Sequence, residues 1–187
     1  MIIYIATFDV YKSTKQLLIS MWKEIMKQFS AHPAQEKVVR LLLERGFQIN
    51  DHGKVVSGGI EIPHTKIAKE AGIDRRVVDA TTQIILNDPL LKKVFLNIRS
   101  VAFLKDVAVE LGFGVVVISP KSAEEVGILS DVSKAISNYK ISIRQAISDD
   151  PFFTEDPKLT IVTDESIPPN LVSELKTVKG VKSITIY

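Results

Sequence analysis

The chain has no cysteine, which excludes disulfide cross-links, thiol nucleophiles and the thiolates that hold most structural zinc. Histidine is nearly as scarce. His32, His52 and His64 are the only three, and they lie in unrelated local contexts with no metal-ligand spacing, so no metal is expected. No apolar run approaches the length of a membrane span, and the stretch Val115–Ile118 has only strand length, so no membrane partner is expected. A phosphate-cradling glycine loop is missing, as is any nucleophile with an evident base beside it, so catalytic residues and cofactors are not expected either. Residues 1–20 carry no basic leader and no small-residue cleavage site, which argues against a secretory signal; the lack of cysteine fits a reducing, cytoplasmic setting.

What is present is ample core material. Hydrophobic residues make up 45% of 187 positions, enough for one large domain or two small ones. The net charge of +2 is unevenly spread. Residues 21–100 hold 13 Lys/Arg against 9 Asp/Glu, whereas residues 101–187 hold 9 against 12. A positive half steers a protein toward polyanions, and the acidic half then has another task.

The run His64–Leu86, HTKIAKEAGIDRRVVDATTQIIL, carries the clearest pattern in the first half. Apolar or small residues at Ile67, Ala68, Ala71, Ile73, Val78 and Ile85 have helical spacing, and Gly72 stands where a left-handed residue ends a first helix. Asp74 follows as an N-cap, with Arg75 and Arg76 opening the second helix. This is a helix-turn-helix. Its candidate DNA contacts are Thr65 and Lys66 at the start of the supporting helix, toward phosphate, and Arg75, Arg76 and Gln83, toward phosphate or base edges.

Around that run, Met21–Phe29 and Ala34–Arg45 have helical periodicity, the second ending at Gly46. Between Phe47 and Ile62 a small hairpin with the turn DHGK, then a short extended piece, are expected, which suggests a winged variant with its hairpin before the second helix. Asn87 or Asp88 caps a further helix that has Pro89 at its first position. Residues 1–20 are expected to be an N-terminal extension upstream of a second candidate start at Met21, residues 21–99 the helix-turn-helix domain, and residues 100–112 a connector with a short helix over Leu104–Leu111.

Residues 113–187 alternate in a regular rhythm. Phe113–Ser119, Ile141–Ser148, Lys158–Thr163 and Val181–Tyr187 read as strands, and Ile128–Tyr139 and Asn170–Val178 as helices. The order βαββαβ is the ferredoxin-like plan, an antiparallel four-stranded sheet with two helices on one face. Its open face and edges need covering, commonly by a second subunit. Asp149 and Asp150 before Pro151 fit a solvated turn, and Phe152 and Phe153 fit a cover for the sheet or an interface.

On the strings VVVISP, EVGIL, NYKISI and GVKSITIY, the second half resembles the ACT domain family of small regulatory modules, which sense amino acids or related metabolites, usually at dimer interfaces. The resemblance implies a ligand site at Gly127 and Ile128, where the first strand meets the first helix, and at Ser142 and Ile143 across the partner subunit. A glycine there admits a ligand carboxylate to free helix N–H groups. Arg144 adds a candidate bidentate partner for that carboxylate, or an interface salt bridge. The sequence departs from the family form in a longer loop over Lys121–Glu125, in Val126 where proline is common, and in Ser142 where asparagine is common. Through MWKEIMKQF, GGIEIPHTKIAKEAGIDRRVVDATT and SIRQAISDDPFFTEDPKLTI, residues 21–187 also resemble archaeal-type predicted regulators of amino-acid metabolism, with an N-terminal helix-turn-helix and a C-terminal ACT domain.

The fold expected is therefore α+β: a winged helix-turn-helix domain followed by a ferredoxin-like ACT domain. The function expected is a homodimeric, DNA-binding transcription regulator that responds to an amino acid. The alternative is an adaptor that controls a metabolic enzyme through protein contacts, without DNA.

Overall fold

The computed structural model describes residues 24–122, 124–151 and 153–187. The extension over 1–20, the first residues of the helix expected from Met21, and Phe152 lie outside the described residues. The chain divides into two compact units on either side of Val101 and Ala102.

The first unit begins with a helix over residues 24–29 (α1), which buries Ile25, Met26 and Phe29. Helix α2, Pro33–Arg45, starts on a proline whose missing N–H would have had no partner in a first turn anyway. It buries Val38, Val39, Leu42 and Leu43. The helix stops at Gly46, which is left-handed at φ 62° and returns its N–H to the Leu42 and Leu43 carbonyls. Only glycine fits this position, since a Cβ would lie 2.6 Å from the Arg99 carbonyl oxygen.

Three short strands follow, β1 (Gln48–Ile49), β2 (Val55–Ser57) and β3 (Ile60–Ile62), paired antiparallel in that order. The piece expected to be merely extended after the hairpin is thus a third strand. Ser57 pairs with Ile60, so Gly58 and Gly59 alone form the second turn, and such two-residue glycine turns match strand twist. In the first turn the Asn50 Oδ1 accepts from the His52 and Lys54 N–H groups, both at 3.0 Å.

Helix α3 (His64–Ala71) and helix α4 (Arg75–Asn87) make the helix-turn-helix. Gly72 at φ 64° closes α3, and the Asp74 carboxylate accepts the Arg76 N–H at 2.8 Å to open α4. Asp88 then ends α4 and caps α5 (Pro89–Asn97), accepting from Leu90 and Leu91 at 2.8 and 2.9 Å. Helix α4 packs against α2, α3 and α5, with Val78, Ile85, Leu91 and Phe95 fully buried. Each such side chain contributes about 1.5–3 kcal/mol of transfer free energy.

The second unit is a four-stranded antiparallel sheet in the order β5-β6-β4-β7, with β4 (Gly114–Pro120), β5 (Ile143–Ser148), β6 (Leu159–Thr163) and β7 (Val181–Ile186). With α7 (Ile128–Asn138) after β4 and α8 (Pro169–Thr177) after β6, this is the ferredoxin-like plan. Val116 and Ile118 pack with α7 and α8. Val115 and Val117 point the other way, against Ala108. That second layer is the stretch expected to be a connector: α6 (Lys105–Ala108), extended by a 3₁₀ turn over Val109–Leu111, sits on the sheet face opposite α7 and α8. Gln145 ties it down, its side chain accepting from the Leu104 N–H at 3.0 Å and donating to the Ala102 carbonyl at 2.7 Å. Burial on both faces explains the unbroken apolar run in β4.

Candidate nucleic-acid interface and ligand site

In the first unit the structure gathers some of the expected contact residues and separates others. Thr65, Arg75 and Gln83 line one open cleft of about 440 Å³ between the β1–β2 turn, the start of α3 and the face of α4 from Arg75 to Gln83. Lys66 lies instead on a separate groove of about 290 Å³, beside Leu41, Arg45 and Glu70. Arg76 lines neither, and its side chain is 90% exposed.

The two arginines are held differently. Arg76 places its Nε 3.2 Å from the Asp74 Oδ1 that also accepts its own backbone N–H. These two bonds, the backbone one foremost, hold the Asp74 carboxyl below the ordinary aspartate range. Arg75 places its Nε 3.3 Å from Asp79 Oδ2, one helical turn on, while Asp79 Oδ1 takes His64 Nδ1 at 2.6 Å. His64 is the first residue of α3, and its side chain is only 12% exposed.

His52, Lys54, His64 and Asp79 therefore share the cleft without having been singled out from the sequence. For Asp79 a signal existed, because RRVVD spaces Arg75 and Asp79 as an i,i+4 pair. For His64 none did, since its partner lies fifteen residues away. The turn reaches α4 closely: a Cβ on Gly53 would stand 2.9 Å from Gln83 Nε2.

In the second unit Gly127 immediately precedes α7, and Ile128 is its first residue. Both line a pocket of about 210 Å³ together with Glu125, Ser148, Asp149 and Lys158. Ser142 just before β5, and Ile143 and Arg144 at its start, lie at the opposite end of the strand from Ser148, so one chain does not bring the two expected halves of the ligand site together. The Ser142 N–H donates to Asp164 Oδ1 at 2.9 Å and its carbonyl accepts from the Asp164 N–H at 3.0 Å. Ile143 opens the edge strand and packs on the helical side. Arg144 occupies a bulge, because Ile143 pairs with Thr163 and Gln145 with Val162, and its guanidinium sits 4.8 Å from the Phe113 ring centroid.

The aspartates before Pro151 have structural partners. The Asp149 carboxylate accepts the Lys158 N–H at 3.1 Å and the Asp149 N–H donates to the Lys158 carbonyl at 2.9 Å, bracing the link between β5 and β6. Among the described residues, no group of three or more His, Asp or Glu is placed to hold a metal ion. No helix among them is long and apolar enough to cross a membrane.

No protein-family model matches the chain, and no curated protein does. Solved structures overlap it only loosely. The C-terminal domain of the MgtC protein from Mycobacterium tuberculosis is 22% identical, with 40% of this chain and 83% of that one covered and a TM-score of 0.31. An AsnC family transcriptional regulator from Agrobacterium tumefaciens is 14% identical over 82% of this chain and 86% of its own, at a TM-score of 0.25. The leucine response regulatory protein LrpA of Mycobacterium tuberculosis is 13% identical over 82% and 90%, at 0.27. Overlaps this loose transfer neither fold nor activity, so the functional reading rests on the chain's own residues.

Proposed function

We propose that the protein is a DNA-binding transcription regulator of amino-acid metabolism, acting in the cytoplasm as a homodimer or higher oligomer. Its ferredoxin-like unit pairs the subunits and senses an amino acid. The observation that carries this reading is the helix-turn-helix, in which the first turn of α4 presents Arg75 and Arg76, with side chains 63% and 90% exposed. Helix N-termini and arginine forks suit phosphate oxygens and guanine edges. In this reading Thr65 and Lys66 touch phosphate, while Arg75, Arg76 and Gln83 touch phosphate or bases. One short recognition helix in a weakly positive half gains useful affinity from a second copy on a two-fold-related site.

For the effector, the reading uses Gly127 and Ile128 on one subunit and Ser142, Ile143 and Arg144 on the other. The supporting observation is that these groups stand apart within one chain, as a site shared between subunits requires. An effector changes DNA affinity only if it binds the two functional states unequally.

The test is duplex binding by the full chain across a salt series, joined to a genome-wide binding map of the tagged protein in its host. Expected are a linear loss of log affinity with log salt, at a slope of about −0.9 per phosphate contact, and occupied sites beside genes of amino-acid metabolism. Salt-insensitive failure to retain any duplex, with co-purification of a metabolic enzyme, overturns the regulator and favours the adaptor. Unchanged DNA affinity under saturation by each amino acid removes the sensing claim.

A further inference from the structure

The two adjacent arginines of α4 are chemically equivalent in sequence, yet the fold prepares them unequally. Asp79 grips Arg75 at Nε alone, 3.3 Å away. A guanidinium has five N–H donors, and an ion pair at Nε leaves the four on the two terminal nitrogens available as a fork. That end-on fork is the shape that meets O6 and N7 of guanine. Asp79 is in turn gripped from behind by His64 Nδ1 at 2.6 Å. A carboxylate only accepts, so the proton of this contact is on Nδ1. The His64 ring is mostly buried and belongs to α3, so the carboxylate is referenced to the rigid helix pair rather than to solvent. Arg76 donates from Nε to Asp74 Oδ1 at 3.2 Å, and that carboxylate, with a 58% exposed side chain, is fixed through its cap on α4 rather than from α3.

We infer that Arg75 reads a guanine base while Arg76 contacts phosphate, and that Asp79, anchored by His64, is the positioning residue that makes Arg75 a reader. This deepens the proposed regulator and rests on it. Holding a long side chain in its bound geometry lowers the ordering cost of recognition, and orientation is what distinguishes a base contact from a phosphate contact. In Asp79→Asn the side chain keeps its size but loses its charge, so the ion pair with Arg75 is lost while the helical position is kept.

The experiment is selection of bound duplexes from a randomised library by the full chain, followed by affinity and salt titration on the selected duplex. Wild type is expected to select a motif containing a guanine column. Arg75→Ala, Arg75→Lys, Asp79→Asn and Asp79→Ala are each expected to lose preference at that same column, with a discrimination loss of about 5- to 150-fold for the arginine variants. Arg75→Lys keeps a charge for phosphate but has no fork, so it separates reading from charge. Arg76→Ala is expected to keep the motif, weaken all sequences alike and reduce the salt slope by about 1. Thermal unfolding of each variant reports folding, and motif loss confined to one column is not what a damaged fold produces. Asp79 variants that keep the guanine column, or bind every sequence more tightly because Asp79 merely masks Arg75, overturn the inference and leave the regulator standing. Wild type that retains no duplex at low salt overturns both.

Discussion

Gly46→Ala isolates how the end of α2 is held against the segment that follows α5. At φ 62° and ψ 32° the backbone is left-handed, which costs a residue with a Cβ about 1–2 kcal/mol. The same Cβ would stand 2.6 Å from the Arg99 carbonyl oxygen, 2.7 Å from its carbon and 2.8 Å from the Ser100 nitrogen. These are backbone atoms, and Ser100 is fastened to α2 by its hydroxyl on the Arg45 carbonyl at 2.7 Å, so the obstacle cannot swing aside without losing that bond. Overpacking of this kind adds about 1–3 kcal/mol. Gly72 supplies the control: it has nearly the same backbone, at φ 64°, but nothing lies within 4 Å of the missing Cβ. Urea unfolding followed by far-ultraviolet circular dichroism, with m-values compared, should show Gly46→Ala destabilised beyond Gly72→Ala by about 1–3 kcal/mol. Equal losses would refute the reasoning, because they would mean that the crowding by Arg99 and Ser100 is relieved at no cost.

Asp88→Ala removes a cap that serves the Leu90 and Leu91 N–H groups together, and a loss of about 0.5–2 kcal/mol in urea unfolding is expected. Thr163→Val removes from a fully buried side chain the hydroxyl that stands 2.7 Å from the Glu165 carbonyl in a part-buried contact; the loss expected in the same assay is about 0.5–1.5 kcal/mol. Asp74 titrates below the ordinary aspartate range because the Arg76 N–H favours its charged form. Its stabilisation is thus complete above the unfolded value and lost as pH falls through the lowered folded value. The stability difference between wild type and Asp74→Asn should therefore shrink on acidification, and a gap in urea midpoints that is constant from neutral pH to pH 3 would contradict this.

Much of the architecture was legible because its signals are local. Gly46 and Gly72 mark helix ends through backbone conformations that other residues resist, and Asp74 and Asp88 cap through atoms only two or three residues away. The βαββαβ rhythm needed only the period of apolar residues. Where the expectation differed, long-range packing intervened. Ala108 faces β4 and β6 and so turns an apparent connector into a layer of the second unit, and Gln145 secures it from forty-one residues away. Strand β5 starts at Ile143 rather than Ile141, with Ser142 paired to Asp164 across the fold and a bulge placed at Arg144.

The candidate interface divides along the same line. By itself the sequence determined that two helices meet at Gly72 and that Arg75 and Arg76 open the second, since helix stops and caps depend on neighbours within one turn. Only the tertiary structure decided that Lys66 turns to another groove, that the β1–β2 turn reaches Gln83, and that Arg75 pairs with an aspartate which a mostly buried histidine holds from the other helix. Those relations depend on where α3, α4 and the strands pack against one another. The spacing of 15 residues between His64 and Asp79 becomes a contact of 2.6 Å only once that packing exists.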